Sequence, residues 1–178
     1  MDQGVFSHLS IGDKAPEECV VVVEIPKGSH HKYEYDEERG VFTLDRVLHS
    51  PLYYPADYGF IPGTRAKDGD FLDAIVIGGE PIFTGCVVRT RPIGLMRMYD
   101  DGERDFKILC VQKDNTRLDN IKDLEDLRSY NPHFLKETSH FFKEYKLLEG
   151  KKVEIRDWGG KDEAMDEIRK AIKRHDKE

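Results

Sequence analysis

The chain has 178 residues, 35 acidic and 28 basic, for a formal charge of −7. This balance excludes a diffuse basic field for nucleic acid, since sequence-independent binding neutralises phosphates with Lys and Arg. The 9 Phe and 8 Tyr are too many large aromatics for a disordered segment, and the length suits one domain over 1–178.

Residues 1–18 read as a polar lead-in with Pro16. Cys19–Ile25 (CVVVVEI) is a strand by its β-branched density. Pro26-Lys27-Gly28-Ser29 turns the chain. Lys32–Asp36 and Val41–Leu44 flank Glu37-Glu38-Arg39-Gly40 as a hairpin. Pro51–Gly63 reads as ordered loop with a short strand. Asp73–Ile77, Cys86–Met98 and Phe106–Val111 are further strands, punctuated by Pro81, Gly85 and Asp101-Gly102. Ile121, Leu124 and Leu127 suggest a short helix. Asn131-Pro132 reads as a cap with proline at the first helical position. Phe134, Thr138, Phe141, Tyr145 and Leu148 follow amphipathic helical spacing. Val153–Trp158 is a last strand, and Ala164, Ile168, Ile172 and His175 mark a terminal helix. Strands first and helices late predict a mainly β barrel or sandwich flanked by helices, not alternating βαβ units.

Cys19, Cys86 and Cys110 are odd in number, lack C-x-x-C spacing and sit in apolar stretches. Buried thiols in a reducing compartment are expected. No apolar run approaches the ~18 residues of a membrane span. Met1-Asp2-Gln3-Gly4 opens no basic-then-apolar leader. A cytoplasmic protein with no membrane or nucleic-acid partner is the expectation.

Asp68-Gly69-Asp70-Phe71-Leu72-Asp73 runs straight into Ala-Ile-Val-Ile, which places three carboxylates at the edge of the core. A second acidic turn spans Asp100-Asp101-Gly102-Glu103-Arg104-Asp105. On its own the second reads as a solvated turn, since Asp-Gly is a common turn dipeptide. If the two converge they need cations, because unit charges 4 Å apart repel by ~4 kcal/mol at an effective dielectric of 20. Hard oxygen ligands select Mg²⁺, Mn²⁺ or Ca²⁺. An EF-hand fails, because Leu72, Asp73 and Gly79 stand where its pattern needs other residues. Asp73 has the opposite strand parity to Asp68 and Asp70, so a regular strand could not aim all three at one ion; Gly69 can supply the required backbone bend.

Basic and phenolic residues recur beside turns: Lys32 with Glu34, Arg46, Tyr54, Tyr58 and Tyr145-Lys146. Each alone reads as structural. Together with a cation-binding cluster they suit a polyanion held between metal on one side and Lys, Arg and Tyr on the other. There is no Walker loop, G-x-G-x-x-G, H-E-x-x-H or G-x-S-x-G. His30-His31 reads as exposed loop. Two competing readings are another Mg²⁺-dependent phosphohydrolase and an OB-type nucleic-acid module, the latter disfavoured by charge.

These residues resemble the first family of soluble inorganic pyrophosphatases, in its short bacterial and archaeal form. The family signature D-G-D-P-x-D is matched by Asp68-Gly69-Asp70-Phe71-Leu72-Asp73. Glu24-Ile25-Pro26, Lys32-Tyr33-Glu34, Asp45-Arg46, Tyr54-Pro55, Tyr58-Gly59, Asp105-Phe106-Lys107 and His140-Phe141-Phe142 agree in order and spacing. The resemblance implies an OB-like closed five-stranded barrel with flanking C-terminal helices. It implies a cytoplasmic oligomer, commonly a homohexamer. It implies hydrolysis of pyrophosphate to two orthophosphates with several Mg²⁺ ions, Mn²⁺ being the alternative. Asp68, Asp73, Asp100 and Asp105 would bind metal, with Glu24 and Glu34 in support. This assignment takes Asp100 over its neighbour Asp101. Asp70 would take the proton of the nucleophile. Lys32, Arg46, Tyr58, Tyr145 and Lys146 would hold phosphate, with Tyr54 and Lys107 nearby. Phe71 replaces the family's usual proline. It is expected to fill the same space, so that Phe71→Pro would be mild.

Overall fold

The computed structural model describes residues 4–177. Residues 1–3 of the polar lead-in and Glu178 lie outside the described residues. Strands β1 (Cys19–Ile25), β4 (Asp57–Ile61), β5 (Leu72–Ile77), β6 (Val87–Asp100) and β8 (Lys107–Gln112) pair in a ring, because β1 bonds both β4 and β6. β2 (His31–Asp36) and β3 (Val41–Val47) form a separate hairpin. β7 (Glu103–Arg104) turns back on β6, and β9 (Val153–Gly159) adds to the same strand. Two helices, α1 (Leu124–Tyr130) and α2 (Phe134–Glu144), lie between β8 and β9, and α3 (Lys161–His175) follows β9.

β6 can serve so many partners because it is 14 residues long. It meets β1 from Val87 to Thr90, β8 between Thr90 and Met96, and β9 from Leu95 onward. Its register shifts between Pro92 and Gly94 and again between Met96 and Met98. Such shifts bend a strand, and Pro92 has no N–H to lose there.

The ring strands are buried on both faces, which is why they read as continuous apolar runs. Alternation still operates beneath that reading. Ile75, Ile77, Leu109 and Val111 join the cluster under α1 and α2, with Phe141 and Phe142. Ala74, Val76, Ile108 and Cys110 join the cluster under α3, with Ala164, Ile168 and Ala171. β1 and β4 cross so closely that a Cβ on Gly59 would lie 1.9 Å from the Val22 carbonyl oxygen. Only glycine fits there.

Several expectations need correction. Asn131 does not cap α2; it ends α1, and its side chain accepts from the His133 N–H at 3.2 Å in the turn before α2. The N-cap position of α2 is His133. Leu148 leaves the helix and is exposed in the 3₁₀ turn Leu147–Glu149. His31 begins β2, and His30 stacks on Tyr53 at 4.3 Å. Cys19 and Cys110 are buried thiols, whereas Cys86 is only half-buried. Among the described residues no helix is long and apolar enough to cross a membrane.

Candidate active site

A cleft of about 360 Å³ opens where the ring meets the β2–β3 hairpin. Its acidic wall begins in the loop before β5. Gly69 adopts φ +97°, the left-handed bend that the parity of the three aspartates required. Asp68 accepts the Asp70 N–H at 3.1 Å, and Ala66 N–H donates to the Asp70 carbonyl at 2.7 Å. Thr64 pins the loop to the core by accepting the Leu72 N–H at 3.0 Å and donating to the Ile61 carbonyl. Asp68, Asp70 and Asp73 thereby face one cleft.

β8 lies parallel to β5 and sets Lys107 opposite Asp73. The Lys107 ammonium donates to Asp73 at 2.7 Å and to Asp105 at 2.6 Å. Lys107 is 1% exposed. Burial alone would lower its pKa, but Asp105 and Asp73 outweigh that and hold it above the ordinary lysine range. Lys146, just past α2, pairs with Asp100. The other Asp100 oxygen, Oδ1, is buried without a partner. Asp101 sits at φ +48° and turns its carboxylate to the Lys152 N–H at 3.1 Å. Of the two neighbours, Asp100 is the one aimed at this cleft. The second acidic turn is therefore not merely a solvated turn.

From the hairpin side come Lys32 and Glu34, paired with each other. Glu24 reaches in from β1 and accepts the Tyr35 N–H at 2.8 Å. Tyr58 from β4 and Tyr145 beyond α2 complete the wall. Burial pushes the hydroxyls of Tyr58 and Tyr145 well above the ordinary range, so both remain hydrogen-bond donors.

The electrostatics are those of an acid excess. Burial raises Glu24 to about 8. Burial, then Asp68 and Asp73, raise Asp70. Asp73 is raised by burial despite the pull of Lys107. As arranged, no three acidic, His or Cys side chains among the described residues come together as a ready metal cage. Lys107 and Lys146 stand between the acids instead. An all-oxygen donor set, raised acids and the orphaned Asp100 Oδ1 fit a hard divalent cation.

The inorganic pyrophosphatase family model matches residues 21–176. The inorganic pyrophosphatase of Geobacillus stearothermophilus is 48% identical over 156 residues, covering 88% of this chain and 93% of its own. That of Methanosarcina acetivorans is 50% identical over 155 residues, 87% of this chain and 90% of its own. The crystal structure of inorganic pyrophosphatase from Thermus thermophilus superposes with a TM-score of 0.92 at 42% identity, over 96% of this chain and 98% of that one. The chain belongs to the inorganic pyrophosphatase family.

For an inorganic pyrophosphatase, two expected site residues stand apart. Neither Arg46 nor Tyr54 lines the cleft. Tyr54 is buried beneath it, its ring 5.6 Å from Tyr58 and 4.7 Å from Phe141. Arg46 lies beside Lys32 in the hairpin register. It pairs with Asp45, donates from Nε to Glu149 at 3.0 Å, and keeps a buried Nη2 without a partner. Lys32 also reaches Asp45, at 3.3 Å. Sequence reasoning missed Glu37, which lines the cleft and takes both arms of Arg65 at 3.1 and 3.0 Å. Nothing in the turn Glu37-Glu38-Arg39-Gly40 signalled that role.

Phe71 is more than a spacer. Its ring stacks on Phe60 at 4.7 Å, carries the Arg65 guanidinium 4.5 Å above it, and is buried with Val22 and Tyr35. The expectation of a mild Phe71→Pro is revised accordingly. We expect a loss of about 3 kcal/mol, the low end for truncating a buried Phe, since proline retains part of the volume. Denaturant unfolding checks this; an unchanged midpoint would mean that the ring is not an anchor.

The raised acids also predict a pH trend. A folded acid with raised pKa holds its proton longer than the unfolded chain does. Its stabilising contribution is complete below the unfolded value and is lost as pH rises through the folded one. For Glu24 that window runs from its ordinary 4.5 to about 8. Asp70 and Asp73 act in the same direction. With divalent ions chelated, the melting temperature should fall between pH 5 and pH 8. A flat or rising profile there would contradict the acid excess.

Proposed function

We propose that this cleft hydrolyses pyrophosphate to two orthophosphates with several Mg²⁺ ions held by Asp68, Asp73, Asp100 and Asp105. Glu24 and Glu34 support that shell, and Mn²⁺ can take the place of Mg²⁺. The observation that carries the reading is an acid excess facing lysines and tyrosines in one cleft. When bound, the ions would neutralise phosphoryl oxygens and acidify the attacking water.

This chain's own groups account for the rest. Asp70 takes the proton of the attacking water. Pyrophosphate repels a nucleophile through its own charge. Lys32 and Lys146 absorb that charge as the bridge breaks; Arg46, beside Lys32 but outside the cleft lining, would join them only by turning its unpartnered Nη2 to the phosphate; and the hydroxyls of Tyr58 and Tyr145 donate to phosphate oxygens. Tyr54 backs Tyr58, and Lys107 keeps Asp73 and Asp105 apart from each other's charge. No covalent bond to the enzyme is required. We read the five-strand ring as the OB-like closed barrel, residues 1–178 as one domain, and the protein as a cytoplasmic homohexamer.

Phosphate release from pyrophosphate in Mg²⁺, measured beside release from ATP and tripolyphosphate, tests the reading. Pyrophosphate should be strongly preferred. Equal rates on ATP would replace it with a broader phosphohydrolase, and no release from pyrophosphate in Mg²⁺ would refute it.

A further inference from the structure

Glu167 lies on α3, away from the cleft, and is 4% exposed. Both of its oxygens are taken by arginines. Arg104 pairs with Oε2, and Arg174 donates to Oε1 at 2.9 Å. Each arginine leads to a different acidic segment. Arg104 immediately precedes Asp105, and its guanidinium lies 3.8 Å over the ring of Phe106, which lines the cleft. Arg174 donates from Nε to the Arg65 carbonyl at 2.7 Å, and Arg65 N–H donates to the Ala171 carbonyl at 3.0 Å. Arg65 opens the loop that carries Asp68 and Asp70, grips Glu37 and covers Phe71.

We infer that Glu167 is a positioning residue: through Arg104 and Arg174 it fixes the 65–73 loop and the 100–105 turn relative to each other. This rests on the reading of those segments as the metal-holding acids. The two segments repel, because both are acidic. The loop before Leu72 has no strand partner, and Thr64 ties down only its Leu72 end. A single buried carboxylate between two arginines sets their separation from behind, where no substrate or ion competes for it. Without that charge the two guanidiniums repel, and the shared anchor that couples one segment to the other is lost. Groups that orient ligand carboxylates from outside the first layer typically change metal affinity or activity about 10–100-fold when removed.

The test uses Glu167→Gln in the full-length protein. Calorimetric Mg²⁺ titration without substrate should show about tenfold weaker binding. Turnover should fall about tenfold with KM changed less than about twofold, since substrate groups are untouched. Should Glu167→Gln unfold, Glu167→Leu with Arg104→Met and Arg174→Met removes all three charges together, a change that is often neutral for stability. That triple variant should melt near the wild-type temperature yet bind Mg²⁺ about as weakly as Glu167→Gln. Wild-type Mg²⁺ affinity and turnover in a folded variant would overturn the inference while leaving the proposed function intact. A wild-type protein that neither binds Mg²⁺ nor cleaves pyrophosphate would overturn both.

Discussion

Asp70→Asn should lower turnover on pyrophosphate by about 10²–10⁴-fold, the usual worth of a positioned general base. The amide is nearly isosteric but cannot take a proton at neutral pH. The loop should survive, because its bend comes from Gly69 and its contacts at residue 70 are made by backbone groups. Stability without divalent ions should hold or rise. Asp68, Asp73, Glu37 and Glu34 all push against a charge at Asp70, and the amide removes it. The decisive pattern is therefore lost turnover with an undiminished melting temperature in chelator. Near-wild-type turnover would remove Asp70 from the proton-taking role.

Lys107→Met should destabilise the protein by about 3–5 kcal/mol in chelator, the cost of stripping one partner from a buried ion pair. Two carboxylates, Asp73 and Asp105, lose their shared cation at once. For a chain of this size each kcal/mol moves the melting temperature by about 2–4 °C. Mg²⁺ should restore part of the loss, since an ion that binds only the folded state stabilises it by mass action. Turnover should nevertheless stay low, because the ammonium also lies 5.4 Å from the Tyr58 ring and helps order that side of the cleft. Thermal unfolding with and without Mg²⁺ measures both effects. A melting temperature in chelator equal to wild type would show that the ammonium does not neutralise the pair.

What was legible in the sequence was local. Cys19–Ile25 announced β1 with its correct ends, because β-branched density needs no partner to be read. The Asp68–Asp73 segment announced a cleft edge, because charge running straight into apolar residues has few other places to sit. Pairings across distance were not legible. Arg65 meets Glu37 across 28 positions, Arg104 meets Glu167 across 63, and Arg46 meets Glu149 across 103. Each acid looks like any surface acid until the fold buries it. Phe71 was misjudged for the same reason: it sits in the loop before β5, and its partner Phe60 lies on β4. Asn131 misled because an Asn-Pro pair serves a turn before a helix as well as a cap.

The double attachment of β1 has a consequence for synthesis. Cys19 pairs with Thr90, and the Thr90 hydroxyl donates to the Cys19 carbonyl at 2.9 Å. A ribosome adding about 5–20 residues per second needs several seconds to make the intervening stretch. Throughout that interval, one edge of CVVVVEI has no native partner available. It is apolar, β-prone and free of proline, the composition that pairs most readily with a copy of itself. Crowded polysomes are therefore where this chain is most exposed to misassembly, and the hazard ends as Val87–Thr90 emerges and docks.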